Sequence, residues 1–236
     1  YLAWCDMGVD IGGTGIDFAL VSNGDGSALE APLGRYTLTN DFYMMTTEVT
    51  QGMFAAVMGY DSRDGESTEH GDGEDVPAYY VNWHMAADFS NALSVQQGLS
   101  ECYSCSVSGD TSVECSQNPA FDSMYECDGF RLPTEAEWEF SVRSGTTGEF
   151  WTGGGTTPET STGGTYSSSS CDSNVTINDG VSNPYLSDYA WFCDYNGRDV
   201  DPAFGAKEVA QKLPNGFGLY DLHGSLWEWT NDWSSG

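Results

Sequence analysis

The sequence predicts an α+β fold with about three helices, a few weak strands and much irregular loop. Three segments carry a capping residue followed by apolar residues at helical spacing. Residues 15–21 and 35–45 instead carry β-branched and aromatic residues between Gly, Asp and Asn turns. Residues 145–182 are rich in Gly, Ser and Thr and have no helical period. At 236 residues, the chain is long enough to bury a substantial core.

Each predicted helix has recognisable ends. The first is expected over about 50–58, and the second after the N-cap Asn82, ending at Gly98. The third is the best defined, because Thr134 and Glu137 have the Thr-x-x-Glu spacing of a capping box.

The glycine-rich stretch GVDIGGTGIDFALV, residues 8–21, resembles the phosphate-binding hairpin of actin-like sugar kinases. No further phosphate or adenosine motif is recognisable, and Lys and Arg are scarce. We therefore interpret the stretch as the opening of the sheet. Ile16, Phe18 and Leu20 are expected to share one face of a strand, with the preceding glycines forming a turn or bulge.

The chain is strongly acidic, with 36 Asp and Glu against 7 Lys and Arg and a net charge of −29. Phosphates would be repelled, so nucleic acid and anionic membrane surfaces are not expected partners. Cations are the natural counterparts, although an acidic surface that keeps the protein soluble in a salty exterior remains the alternative. No run of 18 apolar residues is present, which predicts no membrane span.

The cysteines favour disulfides, because they lie in polar loop-like segments. Six are candidates, four of them in a Cys-rich insertion over 100–128: Cys102, Cys105, Cys115, Cys127, Cys171 and Cys193. Cys102-x-x-Cys105 could be half of a zinc site, but no second such pair and no nearby His completes it. Cys5 is the odd thiol. An oxidising location is expected: extracellular, cell-surface or periplasmic. Because the chain begins with Tyr1 and shows no signal peptide, we expect it to be processed or partly observed.

Three motifs carry a family resemblance. They are TTEVTQGMF (46–54), RLPTEAEWEF (131–140) and PNGFGLYDLHGSLWEWTNDW (214–233), with VPAYYVNWHMAADF (76–89) between the first two. Together they resemble the formylglycine-generating enzyme (sulfatase-modifying factor) family, and the chain is most similar to its secreted bacterial members. The resemblance covers about 30–233. It implies one domain over 1–236 with a C-type-lectin-like fold: a small antiparallel sheet, about three helices and much irregular loop.

The resemblance also implies a calcium site in LYDLHGSLWEW, residues 219–229. Its four ligands would be the side chains of Asp221 and Glu228 and the backbone carbonyls of Gly224 and Leu226. These are hard oxygen ligands of the kind that Ca²⁺ takes. The alternative is that the two carboxylates serve as caps or ion pairs.

The remaining motif residues are interpreted as structural. Arg131 is expected to make an ion pair or carbonyl contacts. Four tryptophans are interpreted as anchors of a loop-rich core: Trp138, Trp227, Trp229 and Trp233.

Catalytic members of the family use a copper-binding pair of cysteines in a later segment. This sequence stops at DWSSG, and none of its cysteines occupies a corresponding position. Copper is therefore expected only if a segment beyond residue 236 carries the pair. The favoured function is a non-enzymatic, calcium-stabilised binding or structural module, secreted or on the cell surface. The alternative is a copper-dependent oxidase of the formylglycine-generating type whose catalytic cysteines lie beyond residue 236.

The expected partner is another protein or a surface glycan, met through the loops over 145–200. The chain could also belong to a larger extracellular assembly or pair with its own C-terminal fragment. Four aromatic residues are candidates for the ligand surface, with burial as the open alternative for each: Tyr166, Tyr185, Tyr189 and Trp191.

Overall fold

The computed structural model describes a large part of the chain: residues 3–4, 16–22, 29–31, 34–146, 151, 188–191 and 205–232. Seven strands lie in these residues: β1 (Ala3–Trp4), β2 (Phe18–Val21), β3 (Leu29–Glu30), β4 (Thr37–Leu38), β5 (Phe42–Met45), β6 (Tyr103–Gly109) and β7 (Ser112–Gln117). The helices are α1 (Gln51–Met58), α2 (Trp83–Gln96) and α3 (Glu135–Arg143), with a short 3₁₀ turn at Met124–Glu126. In this part of the chain, no helix is long and apolar enough to cross a membrane.

The main sheet is small and antiparallel, with the strand order β1-β5-β2. Its central strand β5 has Met44 and Met45 both fully buried, because both of its faces are covered. In β2 the expected alternation is only partly right. Ile16 is buried, but Leu20 is 42% exposed and its neighbour Val21 is fully buried instead. Among the described strands β2 lies at an edge of this sheet. Most of the glycine-rich stretch before it falls outside the described residues.

The three helices form where their caps predict. The side-chain oxygens of Thr50 and Asn82 accept hydrogen bonds from the backbone N–H three residues later, at the starts of α1 and α2. At α3 both halves of the capping box between Thr134 and Glu137 are present. The helix ends at Ser144, which takes the left-handed conformation at φ 46° and is followed by Gly145. Local side-chain chemistry therefore sets all three starts.

The hydrophobic core joins the main sheet to the helices. The ring of Phe54 from α1 stacks on that of Phe89 from α2, with centroids 5.6 Å apart. Phe140 from α3 stacks on Phe217, so the segment that precedes LYDLHGSLWEW packs against the same core.

The Cys-rich insertion is a hairpin rather than a loop. Strands β6 and β7 pair in an antiparallel manner, and Cys105 lies opposite Cys115, to which it is disulfide-bonded. A second disulfide joins Cys102 to Cys127. The predicted disulfides of these four cysteines are confirmed, and the zinc alternative is wrong for them. Cys171 and Cys193 lie outside the described residues.

Arg131 makes the structural contacts expected of it. Its side chain is fully buried and donates two hydrogen bonds of 2.7 Å to the carboxylate of Glu137. It also donates to the carbonyl of Leu132 at 3.2 Å and lies 5.2 Å from the ring centre of Tyr125. This ion pair ties the RLPTE segment to the first turn of α3.

Candidate functional site

The loop over 219–229 places Asp221 in a buried and tightly held position. Its Oδ1 accepts a hydrogen bond from Trp191 Nε1 at 3.0 Å, and its Oδ2 accepts one from the backbone N–H of Ala210 at 2.7 Å. Its φ of 59° is in the left-handed region, which Asp tolerates better than most residues. Burial raises the pKa of Asp221, and the two hydrogen bonds and the positive charge of Lys212 oppose that shift. Asp221 therefore joins three separate segments of the chain.

Gly224 is required by a close backbone approach. The backbone of Trp191 makes two hydrogen bonds with this loop. Its N–H donates to the carbonyl of His223, and its carbonyl accepts from the N–H of Ser225. A Cβ at residue 224 would overlap the carbonyl oxygen of Trp191, and the φ of 92° disfavours any side chain. This glycine thus lets the loop lie flat against residue 191.

Two more carboxylates face the same region. Glu228 is partly buried and accepts a hydrogen bond from Trp138 Nε1 at 2.6 Å. Glu48, from the TTEVTQGMF motif, is 5% exposed and accepts one from the hydroxyl of Ser225 at 3.0 Å. The sequence analysis missed Glu48. The sequence feature that could have indicated Glu48 was its place in the TTEVTQGMF motif. Nothing local in the sequence links it to Ser225, which lies 177 positions away.

The three carboxylates are close enough to repel one another. Burial raises the pKa of Glu48 well above its usual range, and the negative charges of Glu228 and Asp221 raise it further. Burial also raises the pKa of Glu228 to about 7, with Asp221 adding to the shift. In the described part of the chain, no ion pair involves any of the three. The cluster thus concentrates negative charge, and the nearest cationic influence on it among the described residues is the charge of Lys212 acting on Asp221.

The donor types at this cluster fit a hard cation. Over 205–232 and the other described segments, no group donates a hydrogen bond to the carbonyls of Gly224 and Leu226. No group of three or more His, Cys, Asp or Glu side chains in the described residues is placed to hold a metal. A cation here would rely on one or two carboxylates together with carbonyls. Glu228 is better disposed for this than Asp221, because both Asp221 oxygens already accept N–H groups.

A wide cleft opens beside the cluster, between the starts of α2 and α3 and residues 222–232. Its volume is about 1030 Å³, and its walls carry four tryptophans: Trp83, Trp138, Trp227 and Trp229. Interpreting the motif tryptophans as core anchors is right for Trp138, which packs against the core, but wrong for Trp227, which is fully exposed. Trp229 is 49% exposed. Trp233 lies outside the described residues.

Two of the four aromatic residues predicted to form the ligand surface lie in the described part of the chain, in different environments. Tyr189 is buried, and its ring meets that of Trp151 edge to face with centroids 5.1 Å apart. Trp191 is partly buried beneath Lys212, whose ammonium lies 4.2 Å from the ring centre. For both residues the structure assigns a packing contact, and Trp191 also positions Asp221. Tyr166 and Tyr185 lie outside the described residues.

Comparison with solved structures supports the architecture described above. The chain superposes on Treponema denticola variable protein 1 with a TM-score of 0.60 and 24% identity, covering 93% of this chain and 74% of that one. It superposes on CarF with a TM-score of 0.53 and 25% identity, covering 94% of this chain and 83% of that one. The fold is accordingly α+β and C-type-lectin-like, of the formylglycine-generating-enzyme type.

Sequence comparison then places the chain in a family. A model of the sulfatase-modifying factor enzyme 1-like domain matches residues 13–236, and the chain belongs to this family. The chaperone protein LppX of Paenibacillus barcinonensis is 28% identical over 224 residues, which are 89% of this chain and 70% of that protein. The formylglycine-generating enzyme of Mycobacterium tuberculosis is 35% identical over 104 residues. That match covers 43% of this chain and 27% of the enzyme.

Proposed function

We propose that this chain is a secreted or cell-surface binding or structural module whose lectin-like fold is stabilised by calcium. The observation that carries the proposal is the cluster of Glu48, Asp221 and Glu228, whose carboxylates make no salt bridge within the described residues. Burial disfavours the charged form of these carboxyl groups and raises their pKa, and a bound divalent cation would stabilise that charged form. When bound, calcium would supply positive charge between the loop over 219–229 and the segment after β5 that carries Glu48.

An exterior location is supported by the cysteines and the charge. Two disulfides lie within 26 residues, and disulfides persist mainly in oxidising compartments. The net charge of −29 suits a protein that remains soluble in a salty exterior. A binding role is supported by the exposed tryptophan surface and by the similarity to a protein named as a chaperone.

The second candidate is a copper-dependent oxidase of the formylglycine-generating type. The 35% identity to a formylglycine-generating enzyme favours it. All four cysteines in the described residues are in disulfides, so copper-binding thiolates would have to come from elsewhere in the protein. If the full-length protein converts a cysteine peptide to formylglycine in the presence of copper, this candidate replaces the first.

Thermal unfolding of the full-length protein tests the calcium proposal. At a calcium concentration about 100 times the Kd, binding adds about 2.7 kcal/mol. For a domain of this size, that raises the Tm by roughly 5 to 10 °C relative to chelator. Glu228→Gln should remove most of the shift, and Glu66→Gln, which removes an exposed carboxylate between α1 and α2, should retain it. A Tm that is the same in calcium and in chelator would refute the proposal.

A further inference from the structure

We propose that the tryptophan cleft, the surface between α2, α3 and residues 222–232, binds an oligosaccharide that carries amino groups. The inference rests on the proposed role as a binding module and names the site and the class of ligand. The proposed ligand surface lies in this cleft and not in the loops over 145–200, where the sequence predicted it.

The tryptophans of the cleft present separate flat apolar surfaces. Trp227 is fully exposed, and Trp229 is held half-exposed by a hydrogen bond from its Nε1 to the carbonyl of Val81 at 2.8 Å. Trp138 is fixed by its bond to Glu228. Among the described residues, no ring–ring contact joins any two of Trp138, Trp227 and Trp229. Spaced indoles in a cleft of about 1030 Å³ suit an extended ligand whose successive rings stack on different residues.

Hydrogen-bonding groups lie between the tryptophans. Glu135, Asp232 and Thr230 all line the cleft, and the Oδ2 of Asp232 accepts the backbone N–H of Glu135 at 2.6 Å. That bond fixes the orientation of the Asp232 carboxylate. Glu135 is exposed at the first turn of α3 and free to turn towards a ligand. Hydroxyl and ammonium groups of an amino sugar both donate to carboxylates, and the charged donors form the stronger bonds.

The charge of the cleft selects the kind of saccharide. Among the described residues that line it, none is Lys or Arg, while Glu135 and Asp232 supply carboxylates in addition to Glu228, the proposed calcium ligand. The whole chain carries −29. An anionic glycan would be repelled at long range and left without a cationic partner in the cleft. An oligosaccharide with protonated amino groups is attracted, and indole faces also favour cations.

The lining favours a saccharide over a polypeptide. Of the fifteen described residues that line the cleft, two are aliphatic, Leu222 and Leu226. Protein–protein interface cores are depleted in charged residues and offer well-packed apolar pockets. A cleft with carboxylates between separate indoles instead suits ligands that alternate apolar ring faces with polar edges.

Calorimetric titration of the full-length protein in calcium tests the inference. The probes are a β-linked glucosamine oligomer with protonated amino groups, its N-acetylated counterpart and an oligogalacturonate. Binding should be tightest for the glucosamine oligomer and absent for the oligogalacturonate. Trp227→Ala should weaken binding at least about fivefold without lowering the Tm, because this side chain is fully exposed. Trp227→Phe should retain part of the affinity.

Two controls keep the outcomes distinct. Tyr80→Ala removes another exposed aromatic side chain that does not line the cleft, and should leave binding unchanged. Glu135→Gln should reduce the preference for the glucosamine oligomer over its N-acetylated counterpart. The inference is overturned if no saccharide binds, if Trp227→Ala binds normally or if the oligogalacturonate binds as tightly as the glucosamine oligomer. If calcium still raises the Tm in those samples, the proposed calcium-stabilised module stands while the glycan inference fails.

Discussion

Replacing Glu137 with Gln should be one of the most destabilising single changes in this protein. The substitution keeps the shape of the side chain but leaves the guanidinium of Arg131 buried without a counter-ion. Arg131 is fully buried and Glu137 is 2% exposed, so water cannot replace the lost charge. Two charge-assisted hydrogen bonds of 2.7 Å are affected, each worth about 1.5–3 kcal/mol. Breaking one side of a buried pair costs about 3–5 kcal/mol, which agrees with that sum.

The reverse change, Arg131→Met, should cost less. The remaining Glu137 carboxylate still accepts a hydrogen bond from the hydroxyl of Thr134 at 3.2 Å, whereas the guanidinium of Arg131 always carries its charge. Glu137 also keeps the hydrogen bond from the backbone N–H of Thr134, so the cap of α3 survives.

Urea unfolding followed by tryptophan fluorescence measures these differences. Glu139→Gln is the matched control, because Glu139 lies on the same helix and pairs with Arg35 and Arg143 near the surface. It should cost about 1 kcal/mol or less. The reasoning is refuted if Glu137→Gln costs no more than this control, or less than Arg131→Met.

Two further predictions concern the disulfides and pH. Replacing Cys102 and Cys127 with Ser should cost about 3.5 kcal/mol by the loop-entropy relation for a separation of 25 residues. The same change at Cys105 and Cys115 should cost about 2.7 kcal/mol for a separation of 10, and an inverted order in urea unfolding would contradict the relation. Folding raises the carboxyl pKa of Glu228 from 4.5 to about 7, so the folded state holds more protons between these values. In the presence of a chelator, the free energy of unfolding of the wild type should therefore fall relative to that of Glu228→Gln as the pH rises from 4.5 to about 7. Calcium should remove this difference between the two proteins. If the free energies of unfolding of the two proteins change with pH in parallel, the raised pKa of Glu228 is contradicted.

The helices show which features local sequence can predict. Each cap joins residues three apart, as between Asn82 and Met85, so the sequence contains both partners of the bond. The hairpin of the Cys-rich insertion was missed for the opposite reason. Its many serines hide the strand pattern, and the pairing is stabilised by the Cys105–Cys115 disulfide and by contacts with α2. Strand preference depends on such neighbours more than helix preference does.

The sequence by itself determined the family, the three helix starts, the use of disulfides and the structural role of Arg131, because each is encoded in a short motif. Only the tertiary structure placed Glu48 near Glu228, since their proximity depends on how distant segments pack. It also separated chemically identical residues: Trp138 packs against the core, while Trp227 lies in solvent. Hydrophobicity indicates that a tryptophan can be buried, but the packing of other segments around it decides whether it is.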